Sequence, residues 1–169
     1  IAAVFSVFLF NDTLANRFGK EFVSQLPIHS ESAYMRVWKG GIIAFQDSPI
    51  IGIGPDVYRK SCPSLTEGID NIDCHTHPHN FYIQLAGETG IFGLVAGCLM
   101  IGSIILTCFS YRRVDKNNIF TAVAYVVPLA VFFPLKSTGD FFGQWNNLFM
   151  WSAVAFALAS GNLLQERKT

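Results

Sequence analysis

Charged residues are scarce in this 169-residue chain, where Asp, Glu, Lys and Arg together make up 14% of the sequence. Soluble domains carry roughly 25%. The 12 basic and 12 acidic residues cancel, so the chain lacks the positive field that nucleic-acid binding requires. Hydrophobic residues make up 51% of the chain, and its mean hydropathy is +0.36. This composition predicts an integral membrane protein and argues against a nucleic-acid partner.

A nucleotide-binding loop is absent as well. The segment GIGPDVY, which begins at Gly52, has neither the GxGxxG spacing nor the Gly-Lys-Ser/Thr ending of such loops. Pro49, Gly52 and Gly54 instead predict backbone turns. We therefore expect no nucleotide-dependent chemistry and no cofactor.

Four apolar segments predict membrane-spanning helices. Residues 1–10 are too short for a complete span, which needs about 20 residues, and are interpreted as the end of a truncated helix with further helices upstream. Complete spans are predicted at 91–111, 119–135 and 141–164, with Pro128 as a kink in the second. The predicted fold class is all-α: a polytopic transmembrane helical bundle.

Basic residues in the short connections predict its orientation, because Lys and Arg are retained on the cytoplasmic side. They lie in the connection 112–118 and in the tail 165–169 and are Arg112, Arg113, Lys116, Arg167 and Lys168. The large loop 11–90 and the short loop 136–140 are then expected on the opposite, non-cytoplasmic face.

The large loop is predicted to be partly helical. An apolar residue every four positions over 14–26 is typical of a surface helix. Ser30 or Ser32 can cap a second helix, and a third is expected to begin near His79 and to continue into the span 91–111.

The densest polar cluster is CHTHPHN, in which His75, His77 and His79 alternate. Pro78 favours an extended backbone before it, so the three rings would point the same way. Three interpretations stay open at this point. The cluster can be a zinc or copper site that includes Cys74, a single catalytic histidine with polar neighbours, or a solvated loop.

Asn80, Gln84 and Glu88 follow at helical spacing and form one polar stripe on an otherwise apolar helix. Polar groups that enter the membrane are costly unless they are used, so all three are candidate substrate-binding residues. The alternative is a helix whose polar face is solvated at the level of the lipid headgroups and binds nothing.

Three basic residues are candidates for binding a phosphate group. Arg36 lies in the aromatic-rich segment SAYMRVWKGG, where its planar guanidinium would suit phosphate. An ion pair with a carboxylate of the same loop is an equal alternative for Arg36. Arg59, in an exposed basic group, and Lys136, in the short loop, are weaker candidates.

Cysteine usage predicts one disulfide. Cys62 and Cys74 share the outward loop, where an oxidising compartment would allow them to pair. Cys98 and Cys108 lie in an apolar span and are expected to act as small apolar side chains.

The order of several motifs resembles one family. These are R-x-W-x-G-G, P-x-x-G-x-G and H-N followed after nine residues by G-x-x-G, formed by Arg36, Trp38, Gly40, Gly41, Pro49, Gly52, Gly54, His79, Asn80, Gly90 and Gly93. In this order, between hydrophobic segments, they resemble the O-antigen ligase and polymerase superfamily of bacterial envelope glycosyltransferases.

The resemblance implies a multi-pass bacterial inner-membrane enzyme of the C-type glycosyltransferase kind, inverting and metal-independent. The non-cytoplasmic loops 11–90 and 136–140 would then be periplasmic, with the catalytic residues in the larger one. Such an enzyme moves a glycan from an undecaprenyl diphosphate carrier to a sugar hydroxyl, on lipid A-core for a ligase or on a growing polysaccharide for a polymerase. The ligase is slightly favoured. Only Arg36 and His79 match functional residues of the family, which makes His79 the expected base and Arg36 the expected stabiliser of the leaving diphosphate.

The competing class is a metal-binding polytopic membrane protein, a sensor or transporter, that uses His75, His77 and His79. A transporter is expected to place ionisable residues inside its spans. The three complete predicted spans contain none, which disfavours transport.

Overall fold

The computed structural model describes residues 13, 16–26, 29, 31–111 and 118–166. Several sequence-based predictions fall on other residues. These are the first span at 1–10 and the basic residues, within 112–117 and 167–169, on which the predicted orientation depends. Within the described residues the regular structure is entirely helical, as predicted.

Five helices of two or more turns lie in the described part of the chain. They are α1 (Ala33–Asp47), α2 (Tyr58–Leu65), α3 (Phe81–Tyr111), α4 (Ile119–Val131) and α5 (Gln144–Glu166). A π-helical segment, Asn16–Glu21, and one α-helical turn, Phe22–Gln25, precede α1. The surface helix predicted over 14–26 is therefore helical over 16–25, and partly π-helical; residues 14 and 15 lie outside the described residues.

Helix α1 begins where the sequence predicts it. The Ser32 hydroxyl accepts a hydrogen bond from the Met35 backbone N–H at 3.1 Å, which satisfies one of the free N–H groups of the first turn. Farther along α1, glycine allows close packing against α3. A Cβ on Gly87 would lie 2.9 Å from the Gly41 carbonyl oxygen, so the two backbones approach more closely than side chains there would permit.

Helix α3 is interrupted at Gly90, whose φ of 64° and ψ of −164° are not helical. The interruption frees backbone groups, which pair with the preceding loop 48–54. The Ile53 and Gly54 N–H groups donate at 3.0 Å to carbonyls of α3, and the Ile91 N–H donates at 2.9 Å to the Pro49 carbonyl. The glycine turns predicted at Gly52 and Gly54 are present, with φ of 73° and 109°.

The C-terminal helices differ from prediction at their ends. Helix α4 ends at Val131 rather than at residue 135, and α5 begins at Gln144 rather than at 141. The connection 132–143 is therefore longer than the loop predicted at 136–140. A core of Phe81, Ile101, Phe132, Met150 and Val154 joins α3, α5 and the end of α4, whose C-cap is Phe132.

One described helix, Phe81–Tyr111, is long and apolar enough to cross a membrane, and Ile119–Val131 is a shorter apolar helix. The predicted span at 91–111 thus lies within a helix that meets this criterion. The additional spans and the periplasmic loop remain predictions.

Candidate functional site

The histidine segment, residues 74–80, is held by the connection 132–143. The Thr138 backbone N–H donates to the His79 carbonyl at 2.9 Å, and His77 Nε2 lies 3.1 Å from the Thr138 carbonyl. Because a carbonyl only accepts, this contact requires the proton on Nε2, and His77 Nδ1 can then accept from the Thr76 hydroxyl at 3.0 Å. The connection therefore fixes the orientation of His77 and the backbone of His79.

The three histidine rings lie close together, with His79 in the middle. Its ring centroid lies 5.4 Å from that of His75 and 4.3 Å from that of His77. Its φ of 54° is uncommon for a residue other than glycine. Burial, followed by the neighbouring His77 and His75, lowers the pKa of His79 below its usual value of 6.5. A lowered pKa keeps the imidazole neutral and able to accept a proton.

His79 opens onto a cavity of about 160 Å³ between the histidine segment and α1. Its lining residues are Ala33, Tyr34, Val37, His75, His79 and Ser137. A second cavity, of about 390 Å³, is lined by Ser24, Gln25, His29, Glu31, Ser32, Ala33 and Arg36. Both cavities include Ala33, so the structure brings the two predicted catalytic residues to adjoining spaces at the start of α1.

Arg36 is partly fixed by protein contacts. Its Nε donates to Asp73 Oδ2 at 2.8 Å, and Nη1 donates to the Glu31 carbonyl at 3.1 Å. The guanidinium has five N–H donors, and within the described residues the remaining ones have no protein acceptor. Of the two alternatives raised for Arg36, the ion pair with a loop carboxylate is therefore present, and Arg36 also lines a cavity, while phosphate binding remains a prediction.

Asn80 has a local structural role. Its Oδ1 accepts hydrogen bonds from the backbone N–H groups of Tyr82 at 3.0 Å and Ile83 at 3.2 Å, which caps α3. Its Nδ2 donates to the Pro134 carbonyl at 2.6 Å. The side chain is 3% exposed, so it anchors the connection 132–143 to the start of α3.

Gln84 and Glu88 form a buried polar network and line neither cavity. Gln84 Nε2 donates to Glu88 Oε2 at 2.9 Å and to Asp140 Oδ1 at 2.7 Å, while Gln84 Oε1 accepts from the Phe141 N–H. Glu88 Oε1 accepts from the Tyr58 N–H at 2.8 Å. Each is 1% exposed. The predicted polar stripe is therefore internal, and these contacts give no support to substrate binding by Gln84 or Glu88.

Arg59 and Lys136 also line neither cavity. Arg59 is exposed and forms an ion pair of 3.2 Å with Asp56. Lys136 is exposed as well, but its neighbour Ser137 lines the His79 cavity. Of the two, only Lys136 is next in sequence to a residue that lines this cavity.

The structure contains the disulfide that the sequence predicts, between Cys62 and Cys74, with their Cα atoms 5.8 Å apart. The Tyr58 hydroxyl lies 3.3 Å from Cys62 Sγ. Because the disulfide sulfur has no proton, the hydroxyl is the donor. Burial and the nearby Glu88 raise the pKa of Tyr58 to about 12, which keeps that hydroxyl protonated.

The disulfide bears on the metal-site hypothesis, because a paired Cys74 provides no thiolate. Among the residues that the structure describes, no group of three or more His, Cys, Asp or Glu side chains is arranged to hold a metal ion. The described geometry therefore does not favour a metal site at His75, His77 and His79.

Three residues at this site were not predicted individually from the sequence. Asp73 pairs with Arg36, Thr138 contacts both His77 and His79, and Asp140 accepts from Gln84. Asp73 was one of several loop carboxylates that could have paired with Arg36. Thr138 and Asp140 are distant in sequence from the residues they contact, and no spacing rule links them.

The regular structure of the described residues is helical and includes one apolar helix of membrane-spanning length, Phe81–Tyr111, which is a feature of membrane proteins. A model of the O-antigen ligase family matches residues 1–98. The chain belongs to the O-antigen ligase family, as the ordered motifs predicted. The family is one of membrane proteins with a glycan-transferring function in lipopolysaccharide biosynthesis. No curated protein and no solved structure matches the chain.

Proposed function

We propose that this protein is an inverting, metal-independent glycosyltransferase that moves a glycan from an undecaprenyl diphosphate carrier to a sugar hydroxyl. The acceptor proposed first is lipid A-core, which would make it an O-antigen ligase. The observation that carries the proposal is the adjoining position of the His79 and Arg36 cavities, which share Ala33.

His79 acts as the general base. In the proposed step the acceptor hydroxyl gives its proton to the neutral imidazole, and its oxygen attacks the anomeric carbon. The bond between that carbon and the diphosphate oxygen breaks with inversion. The lowered pKa of His79 supports this role, because the proton-accepting form persists to more acidic pH than in a free histidine.

Arg36 stabilises the leaving diphosphate, which gains negative charge as the bond breaks. Its orientation supports the role, because Asp73 and Glu31 engage one part of the guanidinium and leave the other donors for the ligand. Lys136, exposed beside the Ser137 wall of the His79 cavity, is a second proposed contact. Arg59 is already paired with Asp56, which makes it a weaker candidate.

The proposed location is the inner membrane, with the site on its periplasmic face and a multi-pass topology. Helix α3 supports this arrangement, because Phe92, Leu99 and Leu106 on it are 69%, 70% and 72% exposed. Large apolar side chains presented in this way are suited to lipid. A lipid-anchored donor would reach the start of α3 from the same bilayer.

The test is transfer by the full-length protein in the presence of the carrier-linked glycan and lipid A-core. His79→Ala should abolish transfer while donor binding and folding persist, because loss of the base affects the transition state more than the ground state. His75→Ala and His77→Ala should be milder, and a chelator should have no effect. If all three His→Ala variants lose transfer activity equally, and added metal restores it, the assignment of His79 as the base is wrong and a metal site takes its place.

The acceptor is tested in a deletion strain. A ligase defect leaves carrier-linked polymer unattached to lipid A-core, whereas a polymerase defect leaves single repeats attached to it. The second phenotype would replace the ligase proposal with a polymerase.

A further inference from the structure

The contacts of Arg36 point to an additional residue of the site. Asp73 contacts it twice: Asp73 Oδ2 accepts from Arg36 Nε at 2.8 Å, and the Asp73 backbone N–H donates to the Arg36 carbonyl at 3.3 Å. One contact holds the side chain of Arg36, and the other attaches the backbone of Asp73 to α1. Asp73 is therefore placed against Arg36 independently of its own rotamer.

The disulfide lies directly beside this contact. Cys74 follows Asp73 in the chain and is bonded to Cys62, a fully buried residue of α2. Helix α2 is in turn packed on α1, where a Cβ on Gly40 would contact the Tyr58 hydroxyl and Cys62 Sγ. The segment that carries Asp73 has no regular structure of its own, so the disulfide ties it to a packed helix.

The exposure of the pair indicates what the contact contributes. The side chains of Arg36 and Asp73 are 36% and 43% exposed, and ion pairs in such positions add little to stability because solvent screens them. The contact contributes instead to the orientation of the Arg36 side chain. A carboxylate on Nε fixes the plane of the guanidinium, and a planar, fork-shaped group must be aligned to bind a diphosphate with two donors.

We infer that Asp73, tethered by the Cys62–Cys74 disulfide, is a positioning residue that orients the Arg36 guanidinium toward the leaving diphosphate. The inference rests on the proposed function. It assigns Asp73 no contact with the reacting atoms, since Asp73 acts through Arg36. It also gives the disulfide a role in catalysis, because the bond restrains the residue next to it.

The test uses the full-length protein in lipid nanodiscs, with undecaprenyl-diphosphate-linked glycan as donor and lipid A-core as acceptor. Asp73→Ala should lower kcat about 10-fold to 100-fold, the loss typical of a misplaced catalytic group. The donor KM and the unfolding midpoint should change little, because the charge on Arg36 is needed mainly as the diphosphate leaves. Asp73→Asn retains an oxygen that can accept from Nε and should recover most of the activity.

The matched control is Asp70→Ala, which removes an exposed carboxylate from the same loop and should leave kcat unchanged. In an Arg36→Lys background Asp73→Ala should cost much less, because no planar group remains to be oriented. The Cys62→Ser/Cys74→Ser double variant should show a kcat loss of the same kind. If that variant fails to fold, Asp73→Ala still tests the inference.

Normal kcat in Asp73→Ala, in a protein that transfers glycan, would overturn the inference and leave the proposed function standing. An equal loss in the Arg36→Lys background would also overturn it, since Asp73 would then act independently of Arg36. Failure of the unmodified protein to transfer glycan would instead remove the proposed function, and the inference with it.

Discussion

At the scale of single residues, His79 is set apart from its neighbours by its surroundings. The three histidines of the cluster have the same side chain but different surroundings. Only His79 is both partly buried and in contact with two other histidine rings. Each of these features disfavours a positive charge on the imidazole. A residue that resists protonation is suited to remove a proton from an acceptor hydroxyl.

The pH dependence of transfer should report this environment. Activity that requires neutral His79 is present above the pKa of His79 and is lost as the pH falls through it. Because that pKa is lowered, we expect the acid limb of log kcat/KM to have its midpoint below about 6.5, the ordinary histidine value. His77→Ala removes a neighbouring ring that lowers the pKa of His79, so the midpoint of this variant should lie at higher pH than that of the unmodified protein.

The control is Glu67→Gln, an exposed change in the same loop, which should not move the limb. A midpoint that is unaffected by His77→Ala would show that another group controls the acid limb.

The residues of the site were only partly predictable from the sequence. The ordered motifs identified Arg36 and His79, and the structure places both beside adjoining cavities. The helical spacing with Gln84 and Glu88 placed Asn80 among the substrate-binding candidates, but a hydrogen-bonding side chain at a helix start is equally suited to capping. Gln84 and Glu88 were predicted from their spacing, which locates one face of a helix but does not tell what covers that face. Tyr58 and Asp140, which cover it, come from distant parts of the chain.

At the scale of elements, the interruption of α3 explains why two of the motifs contain glycine. The loop 48–54 lies so close to α3 that a Cβ on Gly52 would contact the Glu88 backbone, and a Cβ on Gly90 would contact the backbone of Ile50 and Ile51. Both glycines also have positive φ, which they adopt without the steric cost of a side chain. The two motifs therefore meet in one structural feature, which holds the loop against the start of the apolar part of α3.

Replacing Gly90 should disrupt this feature. In Gly90→Ala the new Cβ meets the Ile50 backbone, and the φ and ψ values fall in a region that is nearly restricted to glycine. Strain of this kind costs about 1–3 kcal/mol before the steric contact is added. We expect a clear fall in the unfolding midpoint of the full-length protein in detergent, with reduced transfer.

Gly102→Ala is the matched control within the same helix. A Cβ there meets nothing within 4 Å, and alanine is favoured over glycine in a helix by about 1 kcal/mol. Its midpoint should be unchanged or higher. Equal destabilisation by both substitutions would show that the helix tolerates no added methyl group, and would remove the special role of Gly90.

Helices differed in how well the sequence predicted them. The start of α1 was recognised from its cap, and the continuation of α3 into an apolar segment from its composition. Helix α2 was missed, because YRKSCPSL is short, polar and contains Pro63, and its helical state depends on packing of Tyr58 and Cys62 against α1. The ends of α4 and α5 were displaced, since hydropathy reports apolar composition and says nothing of where the chain must turn to bring Pro134 and Thr138 to the histidine segment.

At the scale of the whole molecule, α3 connects the two parts of the described chain. Its first turns contact α1, α2 and the connection 132–143, through Gly87, Glu88 and Gln84. Its remaining turns pack on α4 and α5 and carry the exposed apolar side chains. The polar candidate site is thus continuous with an apolar helix, an arrangement suited to an enzyme at a membrane surface.

The orientation of this arrangement in the membrane is predicted by its basic residues. Basic residues of short connections are retained in the cytoplasm, and here they occur at Arg112, Arg113 and Lys116, beyond the end of α3. The candidate site at the other end of that helix should then face the periplasm. Alkaline phosphatase, which is active only outside the cytoplasm, should be active when fused after Lys60 of the full protein and inactive when fused after Asp115. The reverse pattern would place His79 and Arg36 on the side opposite to a periplasmic acceptor. It would also remove the oxidising surroundings expected for Cys62 and Cys74, so the proposed function and the role of the disulfide would both have to be abandoned.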